Sequence, residues 1–212
     1  MKKAIYYAFY GDPRYAELLE LSLISVNKFK KDEEIFLFTN LQLDRLAGLC
    51  NIINIEFPSG FAKPLALRYE IFRLLASQFD KILYLDTDTI CINPLTDLWN
   101  HFTPGKISLA SESDVTDQIS ETNTYSYNSK SRKKNYITET FWAGPLLNTQ
   151  ETQDYRNIPS ICSGVFGANS DAADLLSSSY EYVCAIEDQG FRGRCGDQHA
   201  FTHFCSKKIA II

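Results

Sequence analysis

The stretch Lys81-Ile82-Leu83-Tyr84-Leu85-Asp86-Thr87-Asp88-Thr89-Ile90 decides the fold class of this chain. A short apolar run bounded by polar residues reads as a buried strand, and this one delivers two carboxylates, two residues apart, at its carboxyl end. In open α/β sheets ligands bind outside the carboxyl ends of the strands. The strand period of two puts Asp86 and Asp88 on the same side, so both can face one cation. Hard divalent ions such as Mg²⁺ or Mn²⁺ take carboxylate oxygens together with substrate phosphates, and a bound cation would relieve the repulsion between two neighbouring charges. The other use of such a pair is a strand–turn aspartate that caps backbone groups.

Upstream, strand-like and helix-like segments alternate. Residues 3–10 are β-rich, and residues 14–29 carry Leu18, Leu21, Leu23, Ile24 and Val26 broadly at helical spacing after the capping pair Asp12-Pro13. Residues 34–39 predict a strand, Leu41–Leu49 a small helix, and residues 52–57 an alternating strand that stops at Pro58-Ser59-Gly60. Residues 64–78 are helical in period through Leu67, Ile71, Leu74 and Leu75. Strands alternating with helices imply a parallel sheet covered on both faces, hence an α/β class. Downstream, Lys106–Ser111 reads as a strand, and about Ser111 to Pro159 is an irregular, Ser/Thr/Asn/Tyr-rich excursion. The small-residue strand 163–168 follows, then helices over about 171–186 and 197–205. No linker or repeat divides residues 1–212, so a single domain is expected.

Composition narrows the partners. The 212 residues are 45% hydrophobic, enough for a sizeable core. Lys+Arg 21 against Asp+Glu 26 leaves a net charge of −5, which argues against a duplex nucleic acid partner. The apolar run at residues 4–10 ends at Gly11-Asp12-Pro13, too short for a secretory h-region, and no stretch approaches the ~18 apolar residues of a membrane span. Six cysteines, Cys50, Cys91, Cys162, Cys184, Cys195 and Cys205, form no CxxC pair. Reduced thiols and a cytoplasmic location are the expectation.

Two enzyme classes use a carboxylate pair of this kind. A haloacid-dehalogenase-type phosphatase needs a strand followed by Asp-x-Asp-x-Thr, which residues 86–89 satisfy, with Asp86 as phosphoryl acceptor and Asp88 as acid/base. That class also needs a later Gly-Asp-x-x-x-Asp. The only later Gly-Asp, Gly196-Asp197, runs into Gln198-His199-Ala200-Phe201 and lacks the second acid.

More of the chain fits the other class. Arg68-Tyr69-Glu70-Ile71 through Asp86-Thr87-Asp88-Thr89, then Cys162-Ser163-Gly164-Val165, then Gly196-Asp197-Gln198, occur in one order and at suitable distances. Together they resemble the donor-binding core of family-eight, glycogenin-type glycosyltransferases. The resemblance implies a GT-A fold: a Rossmann-like, mostly parallel sheet flanked by helices, with the Asp-x-Asp motif at a strand end. It implies a nucleotide-sugar donor, usually a UDP-sugar, a carbohydrate or glycoconjugate acceptor, and retention at the anomeric carbon. By the same resemblance Asp88 coordinates a divalent metal, Mn²⁺ or Mg²⁺, and Asp86 contacts the metal or the ribose. Arg68, and less directly Lys63, would bind phosphate or ribose. Ala8 and Tyr10 would lie near the base, Ser163 and Gly164 beside the donor sugar, and Asp197 and Gln198 at the catalytic face. The opening helix, with Ser22 and Ser25, resembles the start of the family's nucleotide site. Glu112 and Asp114, with Phe141 and Trp142, are acceptor-side candidates.

Two departures stand against that pattern. Cys162 replaces the family's Asn in the Gly-Val strand, and no His in a Gly- and Lys-containing segment supplies a third metal ligand before Ile212. His199 and His203, spaced i, i+4, could face one way on a helix. A nucleotide-sugar binding domain without turnover is therefore a second alternative.

Overall fold

The computed structural model describes residues 1–111, 161–188, 201 and 209–211. The chain starts with β1 (Lys3–Phe9), a 3₁₀ turn at Pro13–Tyr15, α1 (Ala16–Phe29), β2 (Glu34–Thr39) and β3 (Asn51–Asn54). It continues with α2 (Lys63–Ala76), β4 (Lys81–Leu85), α3 (Thr96–Asn100) and β5 (Ile107–Ser111), then β6 (Ile161–Asn169), α4 (Ala173–Asp188) and β7 (Ile209–Ile211). Among the described residues these strands form one sheet in the order β3-β2-β1-β4-β6-β5-β7. β1, β2, β3 and β4 pair in parallel, as do β5 and β7, and β6 runs antiparallel to both of its neighbours. The mostly parallel α/β sheet is as expected, and β6 is the reversed strand within it.

Alternation along β1 explains why the sequence is apolar throughout. Ala4 and Tyr6 enter one core with Ala66, Tyr69, Phe72 and Leu75 of α2 and Leu176 and Val183 of α4. Ile5, Tyr7 and Phe9 enter the other with Leu19, Leu23 and Val26 of α1 and Trp99 of α3. A strand buried on both faces has no polar side to show. The reversed β6 lies tight against its cover. A Cβ on Gly167 would stand 2.0 Å from the Phe102 ring, so only glycine lets that ring close over the strand.

Three local expectations are corrected. Leu41–Leu49 holds only a 3₁₀ turn at Asp44–Leu46, and β3 ends at Asn54 rather than Phe57. The short α3, which the periodicity misses, is held by tertiary contact: the Trp99 indole N–H donates to buried Glu33 at 2.7 Å. The edge strand β7 is likewise absent from the sequence reading and takes its register from β5, with Ile107 opposite Ile209. Among the described residues Cys50, Cys91 and Cys184 are free thiols, and burial pushes the Cys50 thiol up to about 11. Among the described residues no helix is long and apolar enough to cross a membrane.

Candidate functional site

The carboxyl ends of β1 and β4 lie side by side, with Tyr6 opposite Tyr84. Above them opens a cavity of about 360 Å³. Its wall comes from the β1–α1 connection (Ala8, Phe9, Tyr10, Asp12, Tyr15), the first turns of α2 (Pro64, Leu65, Arg68) and the end of β4 (Tyr84, Asp86, Thr87, Asp88). The reason given for placing the two carboxylates together needs correcting. β4 stops at Leu85, and residues 86–89 form a turn closed by the Thr89 N–H donating to Asp86 O at 3.1 Å. The Asp86 N–H donates to Gly164 O at 2.7 Å, so β6 anchors the start of that turn. A turn, and not strand alternation, brings both acids to the cavity.

Arg68 organises the floor. It is only 5% exposed, although it carries a permanent charge. A buried charge is tolerated when it is paired and hydrogen-bonded. Here Nη2 donates to Ser163 Oγ at 2.8 Å, and Nη1 lies 3.3 Å from Asp86 Oδ1. The guanidinium also sits 5.3 Å and 5.2 Å from the Tyr69 and Tyr84 ring centres, within cation–π range. Tyr84 donates its hydroxyl to Asp86 Oδ1 at 2.5 Å, and Tyr6 donates to the Arg68 backbone oxygen at 2.7 Å. Burial first, and the Asp86 charge next, push the Tyr84 hydroxyl well above its ordinary value, so it stays a donor.

Asp88 stands apart from this network. Its side chain is exposed and makes no ion pair or hydrogen bond among the described residues. Nor does any group of three or more His, Cys, Asp or Glu converge among those residues. Two carboxylates at the mouth of a cavity suit a hard divalent cation whose remaining ligands are phosphate oxygens and water. The donor set thus fits the Mn²⁺ or Mg²⁺ that the sequence suggested.

The other candidates divide. Ala8 and Tyr10 line the cavity, and the Tyr10 ring stacks on Phe57 at 4.8 Å. Ser163 and Gly164 lie beneath it as partners of Arg68 and Asp86. Lys63 is not in the wall: its ammonium pairs with Asp188 of α4, so its charge is already committed. Ser22 and Ser25 are structural ties. Ser22 Oγ bonds the Tyr7 hydroxyl at 2.9 Å, and Ser25 Oγ accepts the Cys91 N–H at 2.9 Å. Asp197, Gln198, His199, His203, Glu112, Asp114, Phe141 and Trp142 lie outside the described residues, as does the side chain of Cys162.

Three contributors went unseen in the sequence. Asp12 was legible only as a cap, and it does accept the Arg14 N–H at 2.9 Å; a cap at the end of β1 necessarily stands at the ligand edge of the sheet. Tyr15, 56% exposed, adds an open aromatic face beside it. The third is Glu187, 124 residues beyond Lys63 in sequence, whose carboxylate accepts the backbone N–H groups of Phe61, Ala62 (3.0 Å) and Lys63 (2.9 Å). It caps the helix that carries Arg68, at donors that have no intrahelical partner. A Cβ on Gly60, where φ is +145°, would come within 2.6 Å of that carboxylate, which explains the glycine.

Burial opposes the Glu187 charge, but the three N–H donors and Lys63 outweigh it and hold the carboxyl below its ordinary 4.5. As pH falls the unfolded chain takes up this proton first. The cap's contribution is therefore whole at neutral pH and is lost as pH falls through the folded value. Glu187→Gln should cost about 1 kcal/mol at pH 7, the usual worth of a side-chain cap. Melting curves of the two proteins should converge as the pH is lowered from 7 to 3; a gap that stays constant would show that the charged carboxylate contributes nothing.

Comparison with known proteins gives one family. The sequence model of glycosyl transferase family 8 matches residues 19–208, nearly the whole chain. No curated protein matches the chain in sequence. Among solved structures, the glycosyltransferase GlyE of Streptococcus pneumoniae TIGR4 superposes with a TM-score of 0.60 at 16% identity. That match covers 100% of this chain and 45% of GlyE, so the chain spans less than half the length of that protein. The galactosyltransferase LgtC, solved with donor and acceptor sugar analogs, superposes with a TM-score of 0.61 at 17% identity, over 98% of this chain and 72% of LgtC. At these identities the likeness establishes the GT-A fold.

Proposed function

The chain belongs to glycosyl transferase family 8, and on that ground we propose that it transfers a sugar from a nucleoside-diphosphate donor to a carbohydrate or glycoconjugate acceptor, with retention at the anomeric carbon. The observation that carries this reading is the joint presence, at one cavity on the carboxyl edge of the sheet, of the Asp86/Asp88 turn and the buried Arg68. The phosphatase alternative lacks its second acid and has no support from the family match.

In this reading Asp88, with Asp86, holds Mn²⁺ or Mg²⁺. Such an ion would supply positive charge against that developing on the nucleoside-diphosphate leaving group. The remaining work falls to the chain. Arg68 supplies a fixed positive charge beneath the phosphates, pre-paid by its bonds to Ser163 and its pairing with Asp86. Ala8 and Tyr10, in the cavity wall, would border the base, and Ser163 and Gly164 would lie beside the donor sugar. The family resemblance assigns the contacts to the sugar hydroxyls to Asp197 and Gln198, which lie outside the described residues. UDP is the donor nucleotide favoured by the family resemblance.

Calorimetry with UDP and GDP, with and without Mn²⁺, tests the reading. UDP binding that requires Mn²⁺ is expected; no diphosphate binding in either condition overturns it. Release of UDP from a UDP-sugar by the Mn²⁺-loaded protein would exclude a binding domain without turnover.

A further inference from the structure

Tyr84 occupies a place where packing alone calls for phenylalanine. It is 3% exposed, and its ring lies 5.0 Å from Phe166 and 5.1 Å from Tyr6. A hydroxyl in such a setting costs free energy unless it is hydrogen-bonded. Its partners are both site residues: it lies 2.5 Å from Asp86 Oδ1 and, at the outer limit of hydrogen-bond reach, 3.5 Å from Arg68 Nη1. A guanidinium has no acceptor, so the phenolic hydrogen must point at Asp86. Asp86 itself sits at the start of a turn with its side chain 40% exposed. The Tyr84 hydroxyl approaches Oδ1 more closely than the Arg68 guanidinium does, 2.5 Å against 3.3 Å, and it comes from a buried ring packed between Phe166 and Tyr6.

From this arrangement we propose that Tyr84 is a positioning residue: its hydroxyl fixes the orientation of the Asp86 carboxylate, and through it the geometry in which Asp86 and Asp88 receive a divalent cation. The inference rests on the reading of these two acids as the metal site. Groups that orient a metal-ligating carboxylate typically change metal affinity or activity when removed, by roughly 10- to 100-fold. Tyr84→Phe deletes the hydroxyl and keeps the ring, so the aromatic packing and the cation–π contact with Arg68 remain.

The test measures Mn²⁺ affinity in the presence of UDP, from the loss of the free-ion electron paramagnetic resonance signal, alongside melting of the metal-free protein. Tyr7→Phe is the matched control. It deletes another buried phenol bond, the 2.9 Å contact with Ser22, on the opposite face of the sheet. Tyr84→Phe should weaken Mn²⁺ binding by about 10- to 100-fold, with a change in melting no larger than that of the control. Tyr7→Phe should leave Mn²⁺ affinity at the wild-type value. Wild-type affinity in Tyr84→Phe, or equal losses in both variants, overturns the proposal while leaving the metal site intact. Wild-type protein that binds no Mn²⁺ with UDP removes the metal-site reading, and this inference with it.

Discussion

Asp88→Ala is expected to eliminate Mn²⁺-dependent nucleotide binding and to lower kcat/KM by about a thousandfold or more, the scale set by several kcal/mol of lost charge stabilisation. The effect should be confined to function. Asp88 is exposed and makes no hydrogen bond or ion pair among the described residues, so its removal breaks nothing in the folded protein. Taking away an unpaired acid beside Asp86 even relieves some like-charge repulsion. The metal-free variant should therefore melt at or slightly above the wild-type temperature. Nucleotide titrations with and without Mn²⁺, read against thermal melts, check both halves. Unchanged Mn²⁺-dependent binding in Asp88→Ala would remove the residue's metal role.

Arg68→Met should behave in the opposite way, losing stability as well as binding. Its guanidinium touches Ser163 Oγ at 2.8 Å and Asp86 Oδ1 at 3.3 Å, and rests on the Tyr69 and Tyr84 rings. Methionine fills much of the volume but leaves Ser163 without its donor and Asp86 without its positive neighbour. A lost bond to a charged group costs about 1.5–3 kcal/mol; the lower end applies here, because Asp86 is 40% exposed and water can screen it. Nucleotide affinity should fall with it, since the fixed charge beneath the phosphates is gone. Arg68→Lys should recover little, because one ammonium cannot reach two partners set apart by a planar fork. Denaturant midpoints and UDP titrations of both variants make the comparison. Wild-type nucleotide affinity in a folded Arg68→Met protein would take the residue out of the site.

The contrast between these residues also shows what a sequence can carry. Asp88 and Arg68 were both legible, one from a motif at a strand end and the other from its place ahead of a helical run. Their different energetic roles were not. Whether an aspartate is free or an arginine is caged depends on what residues 95 positions away bring beside it, as Ser163 does for Arg68. Lys63 shows the same limit from the other side. It stands beside the right helix end, yet Asp188 reaches it first. Glu187 left no local signal at all, because a cap supplied across two helices has no fixed spacing from the helix it caps.

The sequence by itself determined the alternation of strands and helices, the strand that ends in two acids, and the family motifs in their order. Each of these is written in neighbouring residues: periodicity, punctuation by Asp-Pro and Gly, and short runs whose burial is decided by their own composition. Only the tertiary structure decided that β6 runs backwards, that a turn rather than an extended strand presents Asp86 and Asp88, and that Tyr84 and Arg68 close on one carboxylate. Strand direction depends on the path of the chain between strands, and a buried polar network depends on which groups meet. Neither is a property of any local stretch of sequence.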